Sequence, residues 1–248
     1  MQMGEAMQMG RTMIGAGENV TVVVVHAAWA DGSSWSKVIV GLQALGLRVI
    51  AAPIPLTSLR DDIAALESVL ARTKGPVVLA AHAYSGAVIS GTLEERVKAL
   101  VFITALTPDE GETVGQVFTR EPPHPQAPQL MPDSRGFIWL PEESFKVAFA
   151  QNASAEQAAL FAATQRPISV QCIQERAARA AWRSKPSWYL IAEEDRMIHP
   201  RTQRFLAERM GAQIRAERVD HTPMATAPEP VIRAILDAVA ASANSMKR

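Results

Sequence analysis

Two residues in the last quarter of the chain, Asp195 and His221, are of the types that carry acid–base chemistry. Each follows a stretch that reads as a strand, and His221 stands in the loop-forming segment of residues 220–224. An imidazole exchanges protons near neutral pH, and a carboxylate beside it fixes the tautomer that acts as a base. His221 is therefore a candidate general base, and Asp195, Glu193 and Glu194 are its candidate carboxylate partners. A hydrogen-bonded structural histidine is the alternative for position 221.

A third candidate position is Ala83, within residues 75–89. This stretch opens with a Gly-Pro turn, continues as an apolar run and breaks at small residues before a helical pattern. It has the outline of a G-x-S-x-G elbow, in which a strand-to-helix turn projects a nucleophilic serine above the sheet. Here the five positions run from Ala81 to Ser85, and the central Ala83 carries only a methyl group. The sequence predicts the scaffold for a nucleophile without the nucleophile.

The segments around these residues alternate between predicted strands and helices. Runs of β-branched and apolar residues predict the strands, and apolar residues at helical spacing predict the helices. Ser58 is a predicted N-cap, and we interpret Asp61 and Asp62 as charges that favour the helix N-terminus rather than as an acid–base pair. The alternation predicts a mostly parallel, doubly wound α/β sheet. Besides the elbow, the predicted strands are residues 20–25, 47–52, 97–103, 186–192 and 213–219, and the predicted helices are residues 36–45, 58–70, 201–210 and 230–240.

The alternation of predicted strands and helices stops between Thr107 and Pro167. The first half of this segment is rich in proline, and the second half contains two helical stretches, residues 142–149 and 155–164. An irregular and helical insert after a central strand is suited to cap a cleft, and a decorated surface loop is the alternative. The resulting domain prediction is a leader (1–17), a core (18–106 and 168–241), a cap insertion (107–167) and a tail (242–248).

Composition narrows the classes of function. The length of 248 residues and the 48% of hydrophobic residues suit one large domain, and the formal net charge of zero provides no basic surface for nucleic acid or anionic lipid. The single Cys172 rules out an internal disulfide and a multi-cysteine zinc site, and it is compatible with a cytoplasmic protein. His124 and His199 lack spaced partners, so neither a metal nor a cofactor is expected. The N-terminal residues are read as neither a secretory signal nor a membrane anchor.

Residues 20–239 resemble the α/β-hydrolase superfamily, most closely its small bacterial esterase-like members related to the plant methylesterase and hydroxynitrile lyase group. The resemblance rests on three pieces in order: the loop of residues 26–35, the elbow around Ala83, and the loops of Asp195 and His221. It implies the α/β-hydrolase fold with a helical cap insertion, and it implies that His221 is the catalytic histidine with Asp195 as its acid.

The resemblance also implies an oxyanion hole formed by the backbone amides of Ala28 and Tyr84. The chain departs from the family at Ala27, which replaces a glycine of the oxyanion loop, and at the elbow itself. Ser85 is not expected to replace the missing nucleophile, since its hydroxyl would cap backbone groups or pack against the sheet. His82 is interpreted as a structural residue of the turn.

Four apolar or aromatic residues are predicted to contact a substrate: Trp29, Phe137, Trp139 and Met224. The expected ligand is a small, apolar organic molecule, an ester or another carbonyl compound. No partnership with nucleic acid or membrane is expected, and a homodimer is an open alternative for the oligomeric state.

Three functions are compatible with Ala83. In the first, the alanine stands in place of a natural serine, and the parent protein is an esterase-like hydrolase. In the second, the alanine is native and His221 acts as a general base without covalent chemistry. The third alternative is a ligand-binding protein or receptor that has lost turnover. The further departures at Ala27, Ala81 and Ser85 favour a native alanine, with hydrolase as the formal class.

Overall fold

The computed structural model describes residues 20–245 and is built around a parallel sheet of six strands. The strands are β1 (Thr21–Val25), β2 (Arg48–Ala52), β3 (Val77–His82), β4 (Val97–Ile103), β5 (Phe137–Ile138), β6 (Ile168–Ser169), β7 (Ser187–Ala192) and β8 (Gln213–Glu217). The six strands of the parallel sheet run in the order β2-β1-β3-β4-β7-β8, and every neighbouring pair is parallel. The short strands β5 and β6 form a separate antiparallel pair. The carboxyl ends of β3 and β7 therefore lie at the same edge of the sheet.

Strand β1 shows why the sheet is the centre of the molecule. Its Thr-Val-Val-Val-Val sequence is β-branched throughout, and every residue is buried. Val23 and Val25 belong to one apolar core, while Val22 and Val24 belong to a second core on the other face. A strand buried on both faces has this continuous apolar sequence, as parallel sheets require.

Helices cover both faces of the sheet. Val38 and Val231, on two different helices, pack into the second core. Leu66, Val88 and Leu206, on three other helices, pack into the first. The helices are α1 (Ser36–Ala44), α2 (Leu59–Leu70), α3 (Ser85–Ser90), α4 (Val114–Phe118), α5 (Glu142–Ser144), α6 (Ala155–Thr164), α7 (Val170–Gln174), α8 (Pro200–Arg209), α9 (Pro223–Thr226) and α10 (Pro228–Ser245).

The connection between β4 and β7, residues 104–186, is called the insert below. It contains helices α4 to α7, the β5–β6 pair and short 3₁₀ and π-helical turns. The predicted helix over residues 142–149 is present as α5 followed by the π-helix Phe145–Phe149. The predicted helix over residues 155–164 is α6. The division of the chain at residue 167 stays a prediction.

The predicted doubly wound α/β fold is confirmed by this sheet and its flanking helices. The predicted leader lies outside the described residues, and helix α10 continues through residues 242–245, which the sequence analysis assigned to a tail. Among the helices of residues 20–245, none combines the length and apolar character that a membrane span needs.

Candidate active site

Ala83 lies at a sharp turn between β3 and α3. Its φ angle is +49°, a left-handed conformation that residues with a Cβ rarely adopt. Its N–H donates to the carbonyl of Ile103 (3.2 Å), and its own carbonyl accepts from Leu106 (2.9 Å) and Gly86 (3.1 Å). Gly86 permits the turn, because a Cβ there would lie 2.6 Å from the Leu106 carbonyl oxygen. The backbone thus forms the strained turn of a nucleophile elbow around a methyl group.

His221 and Asp195 meet at the carboxyl edge of the sheet. The His221 Nδ1 lies 2.9 Å from the Asp195 Oδ2, and both side chains are almost completely buried. A carboxylate accepts, so Nδ1 carries the proton of the neutral ring and Nε2 is left as the basic nitrogen. The neighbouring Asp220 is also buried, but its carboxylate accepts from Asn152 and from Thr226 instead.

Asp195 is held by three further donors. Its Oδ1 accepts from the backbone N–H groups of Met197 (2.7 Å) and Ile198 (2.9 Å), and its Oδ2 accepts from Gln203 Nε2 (2.8 Å). Together with His221 these donors occupy the four lone-pair sites of a carboxylate, which fixes its orientation. Glu193 and Glu194 are exposed, and in residues 20–245 neither carboxylate forms a hydrogen bond or ion pair with His221.

Two other histidines support the same region. His82 Nε2 donates to the His221 carbonyl (2.7 Å), and the two rings lie 4.7 Å apart between centroids. Burial holds the pKa of His82 well below its usual value, with the nearby His221 acting in the same direction. His26 accepts from the Ile54 N–H at Nε2 (3.3 Å), and burial lowers its pKa as well. Both rings are neutral, and neither lines the cavity beside Ala83.

The loop of residues 26–35 and the elbow border one cavity. Ala28, Ala83, Tyr84 and His221 all contribute to its wall, so the structure brings the predicted catalytic and oxyanion residues together. Within residues 20–245, neither the Ala28 N–H nor the Tyr84 N–H donates to a protein acceptor. Amides without a protein partner at a cavity wall are available to a ligand oxygen.

Trp29 joins the oxyanion loop to the insert. Its backbone has a φ of +57°, its N–H donates to the Arg166 carbonyl (2.9 Å), and its indole Nε1 donates to the Ile138 carbonyl (2.9 Å). These two hydrogen bonds hold the loop of residues 26–35 against the insert. Trp29 is also part of the cavity wall, and its contact with a substrate stays a prediction.

Phe137, Trp139 and Met224 do not line the cavity, contrary to the prediction. In and after the short strand β5, Ile138 points inward, whereas Trp139 is 51% exposed and donates its Nε1 to Asp133. Phe137, on the same side as Trp139, is half-buried. Met224 is buried in the second core, on the opposite face of the sheet from the elbow.

Other apolar side chains complete the cavity, whose volume is about 70 Å³. The sequence analysis does not assign these residues to a substrate site, because the fold brings together six residues of the insert and two that follow β7. They are Leu106, Val114, Phe118, Leu130, Ile168, Ile173, Met197 and Ile198.

Two polar residues near the site were missed by sequence reasoning. Gln203 orients Asp195, and Asp62 receives a hydrogen bond from the Tyr84 hydroxyl at 2.6 Å. Asp62 was interpreted as a charge at the N-terminus of α2, but it is completely buried. The signal was its spacing, because Asp62 shares one helix face with the buried Leu66 and Leu70.

Ser85 lies close to the elbow but is bound elsewhere. Its hydroxyl is within hydrogen-bonding distance of the carbonyls of His26 (2.7 Å) and His82 (2.8 Å), and it is not part of the cavity wall. In residues 20–245, no group of three or more His, Cys, Asp or Glu side chains is arranged to hold a metal ion.

A protein-family model described as the alpha/beta hydrolase family matches residues 22–234. The chain belongs to the alpha/beta hydrolase family. No curated protein matches the sequence.

Solved structures share the fold over most of the chain. A polyneuridine aldehyde esterase is 20% identical with a TM-score of 0.76, covering 88% of this chain and 98% of its own. A pyrethroid hydrolase from Sphingobium faniae JZ-2 is 20% identical with a TM-score of 0.76, covering 91% and 99%. A methylesterase from Arabidopsis is 17% identical with a TM-score of 0.73, covering 89% and 98%. At these identities the likeness establishes the fold.

Proposed function

We propose that this protein is a hydrolase of small, neutral and largely apolar esters, in which His221 activates water and no acyl-enzyme forms. The observation that carries the proposal is the His221–Asp195 hydrogen bond of 2.9 Å beside a cavity where Ala83 stands at the nucleophile position. Membership of the alpha/beta hydrolase family supports hydrolysis, and the neighbours described as esterases favour an ester as the substrate class.

The reaction needs one base and one water molecule. His221 Nε2 accepts a proton from water while the water oxygen attacks the ester carbonyl carbon. The resulting tetrahedral intermediate then expels the alcohol, which takes the proton back from the imidazolium, and the acid is released. Asp195 stabilises the imidazolium and keeps the ring oriented throughout. The overall change is ester plus water to acid plus alcohol.

The amides of Ala28 and Tyr84 are proposed to bind the carbonyl oxygen as it becomes negative. Such donors are worth more in a buried site than in water, because they are already oriented and no solvent competes. Oxyanion donors and binding alone can leave about 10³- to 10⁴-fold acceleration over water when a triad is incomplete.

The cavity wall favours a neutral ligand. Apart from His221, the side chains around it that could meet an acyl or alcohol group are aliphatic or aromatic, with Tyr84 bound through its hydroxyl to Asp62. A carboxylate or ammonium group on the acyl or alcohol part of the ester would lose its hydration among these side chains without gaining an ion pair. We therefore propose short aliphatic or aromatic esters as substrates.

Steady-state hydrolysis of p-nitrophenyl butyrate tests the proposal. His221→Ala is expected to lower kcat/KM by about 10²- to 10⁴-fold, the range of general-base contributions. His124→Ala is the histidine control, since His124 is half-buried in a loop of the insert and is not part of the wall of this cavity. Equal rates in His221→Ala and the parent protein would overturn the proposal.

A ligand-binding protein is the second candidate function, favoured by the absence of a nucleophile at Ala83 beside an intact apolar cavity. Saturable binding of short esters without any turnover would support it over the hydrolase. The cap role of residues 107–167, the cytoplasmic location and a possible homodimer stay predictions.

A further inference from the structure

A buried polar cluster that the proposed reaction does not use lies behind the elbow. Its members are Asp62 on α2, Tyr84 directly after Ala83, and Cys172 on α7 of the insert. The Tyr84 hydroxyl donates to Asp62 Oδ2 (2.6 Å), and the Cys172 Sγ lies 3.5 Å from the same oxygen. All three side chains are buried.

Asp62 also holds a strained turn. Its Oδ1 accepts from the backbone N–H of Leu56 (2.7 Å), a residue with a φ of +61°. The Leu56 carbonyl in turn accepts from Ser169 in the insert (3.0 Å), next to Ile168 of the cavity wall. One carboxylate therefore connects the elbow, the turn before α2 and the insert.

Burying a carboxylate is costly, and an apolar side chain of similar size would fill the same volume. Burial raises the pKa of Asp62, while its hydrogen bonds to Tyr84 and Leu56 act in the opposite direction. The three donors offset part of the desolvation cost, and they also fix the position of each donor. Of the three donors, Tyr84 alone also lines the cavity of the proposed reaction. Its hydroxyl is hydrogen-bonded to Asp62, and its backbone N–H is the proposed oxyanion donor.

We infer that Asp62 is a positioning residue, which holds Tyr84 by its hydroxyl so that the Tyr84 amide keeps the direction needed by an oxyanion. The inference rests on the proposed function, since it concerns the same oxyanion hole. A residue with this role affects a tetrahedral anion more than a planar neutral ligand, because only the anion depends on the amide direction.

Ligand binding by calorimetry tests the inference without turnover. The probes are methyl butylphosphonate, a tetrahedral monoanion, and 2-hexanone, a planar neutral ketone. In Tyr84→Phe the phosphonate affinity is expected to fall about 10-fold or more, whereas the ketone affinity changes by less than about 2-fold. In Asp62→Asn the amide oxygen should stay with the Leu56 N–H, so that the NH2 group faces the Tyr84 hydroxyl and can donate to it. The selective loss is therefore expected to be smaller than in Tyr84→Phe. The double variant should lose little more than Tyr84→Phe alone, since that single change already removes the link.

Asp61→Asn is the matched control, because Asp61 is the exposed neighbour of Asp62 on the same helix turn. If Asp62→Asn fails to fold, as judged by its thermal unfolding, Tyr84→Phe alone carries the test. Equal weakening of both ligands would overturn the inference in favour of a purely structural role, as would unchanged phosphonate affinity in Tyr84→Phe. A parent protein with no preference for the phosphonate would overturn it as well. Failure of the proposed function is read separately, from the hydrolysis rate of His221→Ala.

Discussion

His82 directly precedes Ala83 and is hydrogen-bonded to the carbonyl of His221. It is expected to make the free energy of unfolding depend on pH. The folded protein keeps its ring neutral, since burial and the neighbouring His221 and His26 lower its pKa well below the usual value. The unfolded chain takes up a proton at this side chain below about pH 6.5. The unfolded state then binds more protons than the folded state, so the free energy of unfolding falls as the pH falls.

Replacing His82 by glutamine is expected to reduce this acid sensitivity. Glutamine keeps an N–H donor for the His221 carbonyl but does not titrate. Below about pH 6.5, the free energy of unfolding of the parent should fall more steeply than that of His82→Gln, by up to about 1.4 kcal/mol per pH unit. Chemical unfolding curves between pH 5 and 8 measure the difference. Parallel slopes for the two proteins would show that His82 is not the titrating group.

The elbow retains the geometry of a nucleophile turn although it carries no nucleophile. A serine Oγ at position 83 would extend from the Ala83 Cβ into the cavity that His221 also lines. Ala83→Ser is therefore expected to create covalent catalysis, seen as a burst of p-nitrophenol that approaches one equivalent per protein. Stopped-flow absorbance measures the burst.

Ala83→Gly is the control for that burst, since glycine adopts the same positive φ without adding an oxygen. A serine variant that hydrolyses without a burst and is insensitive to diisopropyl fluorophosphate would show that residue 83 is misplaced relative to His221.

The sequence predicts the sheet strands well because their signal is local. The run of valines in β1 and the apolar run before Ala83 specify buried strands without reference to the rest of the chain. Ser58 likewise predicts the start of α2, and its hydroxyl does accept from the Asp61 N–H (3.0 Å). Such patterns depend on residues that are neighbours along the chain.

The cavity wall could not be predicted in the same way. Phe137 and Trp139 belong to the insert, as expected of wall residues, but the side on which each faces depends on how β5 pairs with β6. Asp62 shows a mixed case, because its spacing with Leu66 and Leu70 indicates a buried helix face, whereas its hydrogen-bond partner Tyr84 comes from a distant segment. Pairings between distant segments are absent from local spacing, and they decide these positions.

The insert is hydrogen-bonded both to the loop of residues 26–35 and to the loop that carries His221. Trp29 of the oxyanion loop donates to two carbonyls of the insert, and the Asp220 carboxylate accepts from the Asn152 N–H at 3.0 Å. Thr222 donates its hydroxyl to the Phe149 carbonyl, and the Phe149 ring lies 5.4 Å from the His221 ring between centroids. The loop that carries His221 is therefore anchored to the insert on both sides of the histidine.

Asp220→Asn is expected to loosen this link. The Asp220 Oδ1 has two donors, Thr222 and Thr226, so the single oxygen of asparagine should stay there and leave the Asn152 N–H without an acceptor. Loss of a hydrogen bond worth about 1 kcal/mol would speed amide exchange at Asn152 about 5-fold, as measured by NMR. Asp237→Asn, at an exposed surface pair with Arg215, is the control. Unchanged exchange at Asn152 would mean that other contacts hold the insert in place.

Intact-protein mass spectrometry during hydrolysis of p-nitrophenyl butyrate examines the chemistry at Ala83 and His221. Samples quenched with acid while the parent protein turns over should show only the unmodified mass, together with steady release of p-nitrophenol from the first turnover. A species heavier by one butyryl group that forms and decays at the rate of turnover would contradict water activation by His221, because it would show that the chain itself supplies a nucleophile.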